Sequence, residues 1–508
     1  MAVNPPELRS SSGTLTVDLV YDTDTDADGR TLYCFTTPDG TESPTLRVHP
    51  GDRLTVRVKN NLPAAAPASV MQMSSDASLV CGAAMMDASS VNLHWHGTNV
   101  SPACHSDEVI HTLINSGETF TYHVAFSADE PPGLYWYHPH VHGIAEAAVQ
   151  GGASGALIVE GIENVQPAVA GLPERILIIR DQIVAGQPDP AGDVPSWDLT
   201  LNYVPIAYPA LTPAVIGAKY EEPQFWRVLN ASADTILDLK VLYDGAPQTL
   251  MLVALDGVPV DSQDGRRLGT LIPVTNMRLP PAARAEFILR GPSQRVKSAQ
   301  FLTESIDTGP DGDNDTHRVL ATILGGATDI GTGTAPIVSG PPWQPRFSEL
   351  ASQRITATRR LYFSENDDQT QFFITVDGQA PAPFSADRPP AVETTQGSVE
   401  DWIIENRSLE NHEFHFHQIH FLVLSQDNFE VNGSRPVGAL DGQMMDMIEV
   451  PYWDGNPAHA FPRVKLRMDF RGPDVGDFVY HCHILNHEDQ GMMAIIRVLP
   501  ATGGGRFR

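Results

Sequence analysis

Along most of the chain, apolar and polar residues alternate in short runs cut by Gly, Pro and Asp. Thr14-Leu15-Thr16-Val17-Asp18-Leu19-Val20, Leu46-Arg47-Val48 and Leu54-Thr55-Val56-Arg57-Val58 show a period of two. Successive side chains of a strand point to opposite faces, so this pattern predicts half-buried strands. Strand signals recur at 175–179, 224–229, 285–289, 361–363, 372–376 and 399–406. The 41 Gly and 41 Pro are spread evenly enough to supply the turns of sandwiches or barrels. Helical periodicity is nearly absent, and the best candidate is the short stretch from Gly143 to Gly151. The prediction is an all-β protein.

Four blocks interrupt this pattern with histidine. They are His94-Trp95-His96-Gly97, His138-Pro139-His140, His412-Glu413-Phe414-His415-Phe416-His417, and His481-Cys482-His483 followed by His487 and Met492. On a strand, His-x-His puts two imidazoles on one face. Gly51-Asp52-Arg53-Leu54-Thr55-Val56 precedes the first pair of blocks, and Gly397-Ser398-Val399-Glu400-Asp401-Trp402 precedes the second. This loose repeat predicts two related β-sandwiches presenting eight imidazoles to one interface: His94, His96, His138, His140, His415, His417, His481 and His483. In the last block Cys482 faces away from its two histidine neighbours. With His412, His487 and Met492 it makes a soft donor set that suits copper. The cysteine would then join two metal sites through its own peptide. A zinc site needs no thiolate–thioether pair.

Between about Val165 and Thr328 there is one histidine, His317, and no cysteine. Strand signals continue, so a ligand-free β-domain used for spacing and packing is expected, with a linker over Gly325 to Pro345. The implied division is 1–163, 164–335 and 336–508. Asp22, Asp24, Asp26 and Asp28 before Gly29 look like the start of a calcium loop, but Phe35 stands where a bidentate Glu is needed. A polar hairpin tip is expected there, and likewise at Asp311, Asp313 and Asp315. His142 and His420 exceed the ligand count and read as structural. His105, His111 and His123 are near the first cluster in sequence only.

The net charge is -29 over 508 residues, with 33 Lys and Arg against 62 Asp and Glu. An acidic surface disfavours nucleic acid and anionic membranes, and mildly favours cationic substrates. No run of about 18 apolar residues predicts a membrane helix. The first residues show no signal peptide; a periplasmic or secreted home is expected, with a cytoplasmic one also open. Besides Cys482 there are Cys34, Cys81 and Cys104. Cys81 and Cys104 flank the first histidine block and suit a disulfide; three buried thiols is the alternative.

The four blocks together resemble the signatures of the multicopper oxidases, and the chain is similar to the three-domain bacterial laccases, the spore-coat enzyme among them. That resemblance implies three cupredoxin-like Greek-key β-sandwich domains and four copper ions. The type 1 copper would be held by His412, Cys482 and His487 with Met492 axial, and the type 2 copper by His94 and His415. The binuclear type 3 site would use His96, His138 and His483 on one side and His140, His417 and His481 on the other. Electrons would pass from Cys482 through His481 and His483. Glu488 resembles the acid that serves dioxygen reduction in the spore-coat enzyme, and Asp107 the acid beyond the type 2 site. The implied reaction is laccase-type: four one-electron oxidations of phenols or aromatic amines coupled to reduction of dioxygen to water, by a monomer. Met71, Met73, Met85, Met86, Met444, Met445 and Met447 leave open a metal oxidase acting on Cu(I) or Fe(II). Packing is the commoner use of methionine. A copper-binding protein without turnover is a third reading.

Overall fold

The computed structural model describes residues 1–64, 71–72, 79–262, 269–327, 331–335, 345–429 and 440–501. Strands dominate throughout, and the protein is all-β, built from three pairs of packed sheets. The first pair is a five-stranded and a four-stranded sheet, the second a nine-stranded and a six-stranded sheet, the third a six-stranded and a five-stranded sheet. Thr14–Thr25 shows why the period-two reading works: Leu15, Val17, Leu19 and Tyr21 are buried, while the residues between them are exposed or half-buried. Each such side chain taken from water contributes roughly 1.5–3 kcal/mol. Their faces close on Val56, Trp95 and Tyr122 to form the first core. A second, larger core is continuous across the molecule, joining Leu134 and Trp136 to Trp226 and Phe287 and then to Trp402 and Phe414.

Most of the strands that carry chemistry lie in the first and last pairs, and one lies in the middle pair. They are β1 (His94–His96) and β2 (Gly133–His138) in the first third, and β3 (Arg284–Arg290) in the middle. In the last third they are β4 (His412–Phe416), β5 (Met447–Val450) and β6 (Gly476–Cys482). β1 pairs antiparallel with β2, setting His94 opposite His138. β4 pairs antiparallel with β6, setting His415 opposite His481. The internal repeat in the sequence is therefore a repeated pair of adjacent strands. Two short helices flank them, α1 (Ala145–Gln150) and α2 (Leu485–Asp489). Asp489 joins the two: its carboxylate accepts the N–H groups of Gly143 (2.6 Å) and Glu146 (2.9 Å), occupying donors that α1 leaves unpaired at its start.

Buried charge joins the first and middle thirds. Arg47, Glu174, Arg227 and Glu286 alternate in sign along one line, all within 1% of complete burial. Cys81 and Cys104 form a disulfide, while Cys34 is a half-buried free thiol. The aspartates at 22–28 sit where the hairpin was expected: Asp26 pairs with Arg30 across the turn at 2.6 Å. The second acidic loop corrects the reading. Asp313 and Asp315 are not at a solvated tip: Asp313 accepts the Trp197 indole N–H (2.8 Å), and Asp315 accepts the Ile236 N–H (2.9 Å). The expected linker from Gly325 to Pro345 falls largely outside the described residues.

Candidate metal centres

Cys482 stands at the end of β6 between two clusters of donor side chains. On one side its Sγ lies 3.8 Å from His412 Nδ1 and 3.7 Å from His487 Nδ1, and the two nitrogens are 3.1 Å apart. The far nitrogens are engaged elsewhere. His412 Nε2 meets Ser408 Oγ at 2.6 Å, and His487 Nε2 lies 3.4 Å from Glu410 Oε2. Each Nδ1 therefore turns to the sulfur. Met492 is fully buried and its backbone is locked to the same turn: it accepts from the Cys482 N–H (3.0 Å) and donates to His487 O (2.9 Å). Burial, then the Glu413 carboxylate, push the Cys482 thiol well above its usual value. A bound cation would reverse that by displacing the thiol proton and leaving a thiolate.

On the other side lie His94, His96, His138, His140, His415, His417, His481 and His483, none more than 1% exposed. The two thirds interdigitate here. His94 stacks on His417 with centroids 3.9 Å apart, and His96 on His415 at 4.0 Å. Nε2 of His140 and of His417 converge on His481 Nε2 at 3.2 and 3.1 Å. His138 Nε2 lies 3.4 Å from His96 Nδ1. Burial holds all eight imidazoles below their usual pKa, with the neighbouring rings adding to it, so each keeps a lone pair.

Carboxylates and carbonyls fix which nitrogen faces inward. Asp107 takes His94 Nδ1 at 3.0 Å, the Trp95 N–H at 2.9 Å and Gln418 Nε2 at 2.5 Å. His138 and His481 hold the carbonyls of Pro139 and Cys482 through Nδ1, both at 2.8 Å. Glu488 is fully buried with no hydrogen-bond partner for either oxygen; it lies 3.7 Å from His140 Nδ1 and 3.8 Å from His481 Nδ1. Burial, reinforced by Asp489, pushes its carboxyl well above the usual carboxylate range.

Three residues absent from the sequence reading complete this frame. Asp446 lies 3.2 Å from His96 Nε2 through its carboxylate and 2.9 Å from His415 Nδ1 through its carbonyl. Arg284, on β3, grips Asp446, and Asp256 accepts the Asp446 N–H at 3.3 Å. The middle third thus reaches the cluster, beyond the spacing and packing expected of it. The strand Arg284–Arg290 also carries Glu286 and Arg290, so nothing in the local pattern singles Arg284 out. Of the extra histidines, His420 is buried against the Asp256 carbonyl (3.0 Å), and half-buried His142 packs on Phe384. His105 stacks on Phe120 away from both clusters.

Profiles of the multicopper oxidases match residues 83–164 and 355–502. The chain is 23% identical over 462 residues to the multicopper oxidase mco of Staphylococcus haemolyticus, covering 90% of this chain and 81% of that one. It is 24% identical over 378 residues to the laccase of Bacillus subtilis, covering 71% and 69%. The chain belongs to the multicopper oxidases. Its fold is shared with a multicopper oxidase from Campylobacter jejuni described as a metallo-oxidase, with a TM-score of 0.67, 20% identity, and coverage of 99% of this chain and 95% of that one.

The donor sets of this multicopper oxidase fit copper. His94 Nε2, His415 Nε2 and both ring nitrogens of His483 are buried with no hydrogen-bond partner. Leaving a buried polar atom unpaired costs about 1–3 kcal/mol, and a cation in the cluster removes that cost. On the other side, thiolate, two imidazoles and a thioether are the soft set that selects copper. Several three-residue groupings are close enough to share one ion, among them His94 with His415 and His417, His140 with His417 and His481, and His412 with Cys482 and His487.

Proposed function

We propose that this multicopper oxidase is laccase-type, oxidising phenols or aromatic amines one electron at a time and reducing dioxygen to water. The observation that carries the reading is the position of Cys482, with its sulfur on His412 and His487 and its two neighbours, His481 and His483, among the eight imidazoles. His412, Cys482, His487 and Met492 would hold the type 1 copper. His94 and His415 would hold type 2. His96, His138 and His483, with His140, His417 and His481, would hold the type 3 pair. Bound copper supplies one-electron redox chemistry at the first position and four-electron reduction of dioxygen at the others.

The chain's own groups set the rest. The backbone from Cys482 to His481 and His483 is the shortest covalent path between the clusters. Glu488 holds a proton at a carboxyl oxygen beside His140 and His481, the place where dioxygen reduction consumes protons. Asp107 keeps His94 in the tautomer that turns Nε2 inward.

A second reading is metal-ion oxidation, and it rests on the acids outside His487. Glu410 lies 3.4 Å from His487 Nε2, and Glu365 packs against it; burial raises their carboxyls to about 7 and about 8. Once they lose their protons, such acids attract a cation to the edge where electrons enter. The methionines lend less: Met444, Met445 and Met447 are buried in cores and Met86 is buried, while Met85 is exposed. Met73 and the side chain of Met71 lie outside the described residues. Dioxygen uptake with a phenol, an aromatic amine, Fe(II) and Cu(I) separates the readings, run on wild type and Glu410→Gln. A laccase consumes one dioxygen per four phenols and is little changed by E410Q. Uptake with the metal ions alone, abolished by E410Q, favours the second reading. Absence of uptake with every reductant overturns both.

A further inference from the structure

We propose that Arg284, contributed by the ligand-free middle third, is a positioning residue for the eight-histidine cluster and acts through Asp446. The inference rests on the reading that His96 and His415 hold copper.

Arg284 is completely buried, and its guanidinium touches all three thirds of the chain. Nε donates to Leu134 O at 3.2 Å, on the strand that ends at His138. Nη1 donates to Ala282 O at 3.1 Å, on its own segment. Nη1 and Nη2 together donate to the two oxygens of Asp446 at 2.7 and 2.5 Å. This two-pronged geometry is specific to arginine, because the planar fork matches a carboxylate and fixes its plane as well as its place.

Asp446 is the residue that needs fixing. Its carboxylate lies 3.2 Å from His96 Nε2, and its carbonyl 2.9 Å from His415 Nδ1. These rings stack on each other at 4.0 Å, one from each sandwich. A single aspartate thus sets the inward-facing nitrogen of two histidines that belong to different thirds. Its backbone is pinned separately. Asp256 Oδ2 accepts the N–H of Asp446 (3.3 Å) and of Met447 (3.2 Å), while Asp256 Oδ1 accepts the N–H of Arg284 (2.9 Å). The middle third therefore holds Asp446 at both ends, main chain through Asp256 and side chain through Arg284.

The same pair explains a glycine in the first histidine block. Gly97 has a φ of +81°, and a Cβ there would overlap Arg284 Nη2 and Asp446 Oδ2. The glycine that follows His-x-His is thus room for the guanidinium–carboxylate pair as well as a left-handed turn.

The test compares holoenzymes of wild type, Arg284→Lys, Asp446→Asn and Glu286→Gln. Glu286 is on the same strand, is equally buried and accepts the Leu134 N–H at 2.8 Å, but does not touch Asp446. The readouts are copper per chain, the type 2 electron paramagnetic resonance signal, the thiolate–copper absorption band, and copper loss to a chelator. Loss of an outer partner of a ligand weakens a metal site about 10- to 100-fold. R284K and D446N are expected to lose copper from the eight-histidine cluster to the chelator by that factor, type 3 copper held by His96 as well as type 2, with altered type 2 resonance parameters, while the thiolate band persists and E286Q behaves as wild type. An R284K enzyme with wild-type copper retention and spectrum overturns the proposal. So does E286Q with the same selective loss, because burial of charge would then be the cause. If R284K does not fold, D446N decides by the same criteria. Wild type with no copper at the cluster histidines would instead overturn the function proposed above.

Discussion

Replacing Glu488 by Gln keeps shape and volume but removes the one proton that the carboxyl can give. In the structure that carboxyl is fully buried, has no hydrogen-bond partner and faces His140 and His481 at 3.7 and 3.8 Å. The neighbouring acids are engaged elsewhere: Asp489 next to it is spent on the start of α1, and Asp107 is spent on His94, Trp95 and Gln418. A positioned acid contributes about 10²–10⁴ to a proton-dependent step. E488Q should therefore reoxidise about 100-fold or more slowly when the fully reduced enzyme is mixed with dioxygen in a stopped-flow instrument. Anaerobic bleaching of the thiolate–copper band by reductant should be unchanged, because Cys482 and its ligands lie on the other side. Reoxidation within about threefold of wild type would refute the role. Equal slowing of both half-reactions would point to a displaced α2 rather than a missing proton.

Met492→Leu removes a weak axial donor and should raise the type 1 potential in a redox titration; an unchanged potential would remove Met492 from that site. Arg227→Met leaves Glu174 with Arg47 alone and takes from buried Glu286 its arginine partner, and breaking a buried pair in this way costs about 3–5 kcal/mol. Chemical denaturation should show that loss, with the thiolate band intact in the protein that remains folded. Burial raises the Asp474 carboxyl to about 7, against the pull of Arg346. A carboxyl raised on folding binds more protons folded than unfolded, so it costs stability progressively as pH rises from about 4 to about 7. Asp474→Asn should then gain stability relative to wild type between pH 5 and pH 8, by at most about 4 kcal/mol; a gap that is constant with pH would contradict this.

The donor residues were legible because copper admits few side-chain types and strands space them by two, so His-x-His and His-Cys-His carry their meaning locally. The strands were legible for the same reason, as Thr14–Thr25 shows. What the sequence hides is set by packing between distant segments. Asp446 sits in a run of methionines, and Arg284 in a strand whose other residues are mostly apolar; neither has a local signature, and only the fold brings them together across 162 positions. The acids at 311–315 look like a solvated tip, yet the fold turns Asp313 and Asp315 inward. No helix was expected after Cys482, but Leu485–Asp489 is helical, which swings His487 back to the sulfur and Glu488 toward the other cluster. Cysteine count alone left the Cys81–Cys104 bond open, since only the tertiary approach of the two loops selects them over Cys34.

Charge entering at Cys482 leaves through its two neighbours, and Cys482→Ser tests this most directly by anaerobic reduction of the copper-loaded enzyme. Wild type should carry four coppers, all of them reduced by a phenol. The variant should carry three, without the thiolate band, and these should stay oxidised. A variant whose remaining coppers are reduced by the phenol at the wild-type rate would contradict it.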